Sequence, residues 1–182
     1  MTGERGILTY RDYEALPDDG RRYELHEGAL SVTPAPDTRH QRVSSALNSI
    51  LKAHVTAHGL GEVLYAPVDV ILADSTIVLP DLVYVDRTRA RLVSARAIEG
   101  PPTLAVEILS PSTTTIDRRT KLRLYRRFAV PYYWIVDPDS RTIEAYALSE
   151  GDYALAARAA GEAPAALPPF LDLALVPSAL WP

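Results

Sequence analysis

Residues 103–112 read TLAVEILSPS, and this stretch predicts a buried strand that contains an acid. Thr103 to Leu109 is short and apolar, with two prolines before it and Ser-Pro-Ser after it, which is typical of a strand covered on both faces. Glu107 lies in its middle. Because burial of an unpaired carboxylate is costly, Glu107 must be neutralised, be paired with an arginine or backbone amides, or hold a cation.

The segments on either side of this strand indicate the fold class. Residues 37 to 137 follow the order helix, strand, strand, strand, helix, strand, which predicts an α/β protein with a restriction-endonuclease-like core, a mixed central β-sheet flanked by helices. The predicted elements are a helix capped by Asp37 that ends near His58, strands at Glu62–Leu72, Ile77–Val85 and Thr103–Leu109, a helix from Ile116 to about Ala129, and a strand at Tyr132–Val136.

Shorter elements flank this core, and we expect residues 1–182 to form a single domain. The N-terminal part, 9–33, predicts a helix at Tyr10–Leu16 and a hairpin, and the C-terminal part, 141–182, predicts strands and a loop. The hairpin strands are Arg22–His26 and Ala29–Thr33, the later strands Arg141–Ala147 and Tyr153–Ala157, and the loop Gly161–Pro169.

The composition is that of a soluble globular protein, with 47% hydrophobic and 23% charged residues. No apolar run reaches membrane-spanning length, and the N-terminus lacks a signal-peptide pattern, so we expect a cytoplasmic protein without membrane contact. The absence of cysteine excludes disulfides, thiolate metal sites and a thiol nucleophile. The net charge of −4 argues against a protein that coats DNA, but not against an enzyme with a local basic patch.

A second acid interrupts a neighbouring apolar strand. Asp81 lies within Ile77–Val85, directly after Pro80, which removes a ladder donor and favours a bend or a sheet edge. Acids on adjacent strands can converge on a hard divalent cation, which prefers oxygen ligands. Such a cation would neutralise Glu107, and pairing within the protein is the alternative.

The helix after the Glu107 strand carries a lysine at the edge of its inward face. Lys121 shares a stripe with Leu124 and Phe128, so it can reach back over the end of the strand. Two carboxylates and a lysine suit the activation of water and the stabilisation of a phosphorane-like transition state. The alternative is an exposed ion pair with Asp117, one turn earlier.

The same helix carries a stripe of arginines on its outward face. This stripe predicts either an ordinary solvated helix face or a surface that contacts DNA phosphates. Its members are Arg119, Arg123, Arg126 and Arg127.

Several motifs together resemble a known family. Pro80-Asp81, Glu107-Ile108-Leu109 and Lys121 resemble the PD-(D/E)XK nuclease superfamily. The chain more closely resembles a large bacterial family of putative restriction endonucleases, over roughly residues 9 to 147. The motifs that carry this resemblance are Tyr23-Glu24-Leu25, Pro80-Asp81-Leu82, Val106 to Ser112 and Tyr133 to Pro138.

The resemblance implies a Mg²⁺-dependent endonuclease that acts on DNA, with Mn²⁺ as a substitute cation. Asp81, Glu107 and the backbone carbonyl of Ile108 would hold the metal. The lysine that the superfamily places two residues after the glutamate is Leu109 here, so Lys121 would replace it from the helix. Two further residues match family positions: Glu24, an acid ahead of the core that would join the catalytic set, and His40, an accessory helix-start histidine.

Three functions stay open at this point. The first is the DNA endonuclease, which we expect to act as a homodimer because one site cuts one strand. The second is a nuclease-like module that binds DNA or protein without cutting, suggested by Leu109 and the acidic composition. The third is a hydrolase with a carboxylate pair, such as a glycosidase, which would not need a divalent metal. Alternatives without a catalytic role also remain for two residues. Glu24 would then be a surface acid in a hairpin, and His40 a structural or exposed histidine.

Overall fold

A computed structural model describes residues 6–181, so the two ends of the predicted domain, residues 1–5 and Pro182, lie outside the described residues. The centre of the fold is a six-stranded sheet with the order β11-β10-β9-β8-β6-β3. Its strands are β3 (Gly61–Tyr65), β6 (Leu82–Asp86), β8 (Leu104–Ile108), β9 (Tyr132–Asp137), β10 (Thr142–Ser149) and β11 (Asp152–Ala160).

The prediction of a mixed central sheet flanked by helices is confirmed. β8 and β9 pair in parallel, and the other neighbours in this sheet are antiparallel. All five residues of β8 are buried, as the apolar stretch predicts. Such a strand is covered on both faces, because an apolar residue that points away from one layer must be covered by another.

A different helix covers each face of this sheet. The helix α2 (Thr38–Ala57) packs on one face through Val43, Leu47 and Leu51, which share a core with Val106 and Trp134. The opposite face packs against α3 (Leu122–Arg127), whose Leu124 and Tyr125 share a core with Ala105, Tyr133 and Ile135.

A second sheet, which the sequence pattern did not indicate, lies beside the first. It has five strands in the order β2-β1-β5-β4-β7: β1 (Arg22–His26), β2 (Ala29–Thr33), β4 (Asp69–Ala73), β5 (Thr76–Val78) and β7 (Ala97–Glu99). It arises because each of two predicted long strands is divided, near Pro67 and near Pro80, so that β3 and β6 join one sheet while β4 and β5 join the other. A proline cannot donate a ladder hydrogen bond, which favours a break at each of these positions.

The helices differ from prediction mainly around Lys121. In α2 the start is confirmed, since the side chain of Asp37 accepts the backbone N–H of His40. The predicted helix from Ile116 to Ala129 is instead a π-helical turn over Ile116–Lys121 followed by α3, which ends at Arg127. Shorter helical pieces are α1 (Tyr10–Glu14) and 3-10 turns at Arg87–Leu92 and Pro177–Leu180.

The predicted loop over Gly161–Pro169 is interrupted by a strand that the sequence did not indicate. Residues Ala165–Leu167 form β12, which pairs antiparallel with β13 (Phe170–Leu175). Leu167, Phe170 and Leu175 are buried against the face that carries α2. Within residues 6–181 no helix combines the length and the apolarity needed to cross a membrane.

Candidate active site

The two predicted acids lie opposite each other at the bend between the sheets. β6 and β8 pair antiparallel with Leu82 opposite Val106, and the next position in that register sets Asp81 opposite Glu107. Asp81 is 6% exposed and Glu107 3% exposed, and both line one cavity of about 230 Å³. Because directly opposed residues project from the same face, the register brings these two side chains together.

Only one carboxylate oxygen of Asp81 is held by hydrogen bonds. The backbone N–H of Ile108 donates to Oδ2 at 2.8 Å, and Nε2 of His40 lies 3.0 Å from the same atom. The guanidinium of Arg22 lies 3.8 Å from Oδ1, too far for a hydrogen bond. Within the described part of the chain, Oδ1 therefore has no hydrogen-bond donor.

Glu107 shows the same asymmetry. Its Oε1 accepts hydrogen bonds from Nζ of Lys121 at 3.0 Å and from the hydroxyl of Tyr125 at 2.7 Å. Its Oε2 makes no hydrogen bond with any residue between 6 and 181. Each acid thus has one oxygen engaged by the protein and one that is available to the cavity.

The π-helical turn brings Lys121 to this site. Nζ of Lys121 also lies 3.0 Å from Oε1 of Glu24 and 3.7 Å from Oδ1 of Asp117. Glu24 belongs to β1 of the second sheet, so Lys121 connects the two sheets electrostatically. π-Helical turns occur frequently at functional sites, and this one makes both Asp117 and Lys121 buried.

Comparisons with known proteins place the chain in a family. The family model described as "Uma2: Putative restriction endonuclease" matches residues 10–178. The chain belongs to the Uma2 family. This membership confirms the resemblance to putative restriction endonucleases that the motifs indicated.

A solved structure supports the fold of this Uma2 chain. It is similar to the crystal structure of a putative nuclease belonging to DUF820 from Anabaena variabilis, with a TM-score of 0.77 and 19% sequence identity. The match covers 95% of this chain and 97% of the other. No curated protein matches the sequence. The restriction-endonuclease-like fold is thereby shown.

Burial and neighbouring charges shift the pKa values of the site in different directions. Burial raises the pKa of Glu107, opposed by Lys121 and reinforced by the nearby Asp117 and Asp81. The pKa of Glu24 is lowered to about 2, because Lys121, His26 and the N–H of Leu79 together outweigh its desolvation. Although burial disfavours the Lys121 ammonium, its acidic neighbours raise its pKa, so it stays charged.

The superfamily places a lysine at the position of Leu109, and the structure of this Uma2 chain explains why leucine occupies it. Leu109 is 7% exposed and belongs to the apolar core that contains Leu124 and Tyr125. A lysine there would place its charge among hydrocarbon groups. Lys121, from the next element along the chain, puts its ammonium 3.0 Å from Glu107 instead.

The structure also shows whether the other predicted residues are buried. Glu24 is 1% exposed, so its interpretation as a surface acid is wrong, and the pair of Lys121 with Asp117 is buried rather than solvated. His40 is buried and contacts Asp81 directly.

The arginine stripe lies away from these side chains. Arg123 and Arg127 both contact Glu27 in the hairpin turn, and Arg126 lies 3.0 Å from Asp152. Arg119 is exposed and forms no ion pair among the described residues. Whether this stripe contacts DNA stays a prediction.

Tyr125 and Arg22 also belong to the site, although neither was predicted from the sequence. Tyr125 follows Lys121 by four residues, a spacing that puts the two on one helix face, so this signal was available. Arg22 had no such signal, because it approaches Asp81 only through the packing of β1 against the bend.

Proposed function

We propose that the chain is a Mg²⁺-dependent endonuclease that hydrolyses DNA phosphodiester bonds, with Asp81, Glu107 and the carbonyl of Ile108 as metal ligands. The observation that carries this proposal is the pair of unengaged oxygens, Oδ1 of Asp81 and Oε2 of Glu107, on one cavity. Oxygen donors from two carboxylates and a backbone carbonyl are the set that Mg²⁺ prefers.

The charge of the site supports a cation there. The site holds four buried carboxylates, and the ammonium of Lys121 lies within 4 Å of three of them, those of Glu24, Glu107 and Asp117. The guanidinium of Arg22 lies 3.8 Å from Asp81. A divalent ion would offset the remaining negative charge, and the raised pKa of Glu107 has the same electrostatic origin in part.

Each side chain has a distinct role in this proposal. A bound divalent cation would lower the pKa of a coordinated water and offset charge on the phosphate. Lys121 keeps its proton and presents positive charge beside Glu107, where it stabilises negative charge on the substrate or orients the water. Glu24 holds Lys121 in place, and His40 holds Oδ2 of Asp81.

DNA is the proposed substrate because the family description and the motifs both point to restriction endonucleases. Arg22 lines the cavity beside Asp81 and is the cationic group best placed to meet a phosphate. A site that cuts one strand needs a second copy to cut both, so we propose a homodimer. Light scattering in solution tests this state, and a monomeric mass together with double-strand cleavage would contradict it.

The test of the proposed activity is cleavage of supercoiled plasmid with Mg²⁺ or Mn²⁺. Asp81→Asn removes a charge but little volume, and we expect it to abolish cleavage while circular dichroism shows an unchanged fold. Asp74→Asn is the matched control, since Asp74 is an exposed acid in the β4–β5 turn. Cleavage by Asp81→Asn at the wild-type rate would refute the assignment.

A module that binds without cutting is the second candidate. It is favoured by the enclosure of Lys121, which is 4% exposed and has carboxylates of three residues around its amine. Lys121→Ala separates the enzyme from the module when circular dichroism shows that the variant is folded, because an active enzyme then loses rate with this change. Binding of DNA without metal-dependent cleavage by the wild type would support the module.

A further inference from the structure

A second group of metal-binding side chains lies near the far end of α2. His54 and His58 come from the C-terminal end of this helix, and Asp172 comes from β13. One ligand atom from each lies within 4.8 Å of the other two. His40, at the candidate active site, precedes His54 by 14 positions, or about 21 Å of helix at 1.5 Å per residue. The two sites are therefore separate.

His54 presents a buried nitrogen that lacks a hydrogen-bond partner. The residue is 8% exposed, and its ring packs edge-on against Phe170 with the centroids 5.7 Å apart. Nε2 lies 3.2 Å from Oδ1 of Asp172, yet it makes no well-directed hydrogen bond with any described residue. A buried polar atom without a hydrogen bond destabilises the folded protein unless another group binds to it.

The geometry of His58 leaves the correct nitrogen available for a metal. Its Nδ1 lies 2.9 Å from the carbonyl oxygen of His54. A carbonyl can only accept, so Nδ1 donates this hydrogen bond, and in the neutral ring Nε2 then carries the lone pair. Histidine ligands in metal sites commonly donate their other N–H to a backbone carbonyl in this manner. The rings of His54 and His58 are 4.4 Å apart at their centroids, and His58 is open to solvent.

We propose that His54, His58 and Asp172 bind a divalent transition metal of the Zn²⁺ class. Two imidazoles and one carboxylate suit Zn²⁺, which would keep a fourth position for water. Mg²⁺ prefers an all-oxygen set, so the two sites differ in the metal that they select. Bound metal would join β13 to the end of α2 and stabilise that contact. The alternative is an ion pair between His54 and Asp172 that binds no metal.

Calorimetric titration with Zn²⁺, after dialysis against a chelator, tests the proposal. We expect saturable binding in the wild type, at least tenfold weaker binding in His58→Gln and in Asp172→Asn, and a rise in Tm with Zn²⁺ that both variants lose. Both altered side chains are exposed, so neither change should prevent folding, and circular dichroism checks this.

Asp81→Asn is the control, because it alters the other site and should leave one zinc equivalent bound. Equal affinity in the wild type and in both variants would overturn the proposal, as would no binding in the wild type. Zinc binding that Asp81→Asn abolishes and His58→Gln retains would also overturn it, since the ion would then occupy the candidate active site. None of these readouts depends on DNA cleavage, so the two proposals can fail independently.

Discussion

Nζ of Lys121 lies 3.0 Å from Oε1 of Glu107, across 14 positions of the chain, and both side chains are buried. The same ammonium lies 3.0 Å from Oε1 of Glu24 in the other sheet. One ammonium is therefore shared by acids from two sheets at the bend where Asp81 lies. We expect Lys121 to contribute to stability as well as to catalysis.

Lys121→Met should lower the free energy of unfolding by about 3 kcal/mol at pH 7, since removal of one partner leaves buried carboxylates without their counter-charge. Urea unfolding measures this change. Lys52→Met is the matched control: Lys52 is the other lysine of the chain, it is exposed on α2, and its replacement should cost less than about 0.5 kcal/mol. Equal effects of the two changes would show that the buried contacts of Lys121 do not stabilise the fold.

Affinity for Mn²⁺ should rise with pH. The pKa of Glu107 is raised by burial, so at acidic pH its carboxyl keeps a proton that a metal must displace. Titration calorimetry in buffers of different ionisation enthalpy should show proton release, which disappears in Glu107→Gln together with the binding. A pH-independent affinity would mean that Glu107 is not a ligand.

Glu24 should stabilise the fold at neutral pH and lose this effect in acid. Its pKa is lowered to about 2 from 4.5, so its contribution is present above pH 4.5 and is lost as the pH falls towards 2. The shift corresponds to about 3 kcal/mol. Glu24→Gln should remove this part of the acid dependence of urea unfolding. An unchanged acid profile in the variant would contradict the assigned ion pair with Lys121.

Asp37→Ala should destabilise the protein by about 1 kcal/mol, because the side chain caps α2 by accepting the N–H of His40. Asp37→Asn keeps a capping oxygen and should be close to the wild type in thermal unfolding. The comparison isolates the cap from the charge. If both variants lose the same stability, the charge of Asp37 and not its cap is responsible.

Arg119 should contribute to DNA affinity if the stripe meets phosphates. Arg119→Ala should weaken binding several-fold and reduce the slope of log affinity against log salt by about 1. Arg91→Ala is the control, since Arg91 is an exposed arginine on another element, the 3-10 turn after β6. Identical salt slopes for the two variants and the wild type would assign the stripe to an ordinary solvated surface.

Local sequence patterns were sufficient to predict those elements whose structure depends on residues that are close together in the chain. The cap at Asp37, the hairpin around Gly28 and the buried strand with Glu107 all follow from spacing and side-chain chemistry, and the structure has them where the sequence predicts them. The division near Pro67 and Pro80 was foreseen only as a bend at Pro80, because the assignment of each half to a different sheet depends on pairing with β1 and β7.

The sequence by itself identified Asp81, Glu107 and Lys121 as candidate site residues and indicated the family. These inferences depend only on residue types in a fixed order. Only the tertiary structure decided which atoms meet: Nζ of Lys121 with Oε1 of Glu107, the approach of Glu24 from the second sheet, and the position of Asp172 beside His54. The physical reason is that each of these contacts joins two elements, and the packing of their apolar faces sets how the elements lie relative to each other. The spacing of residues along one element contains no information about that placement.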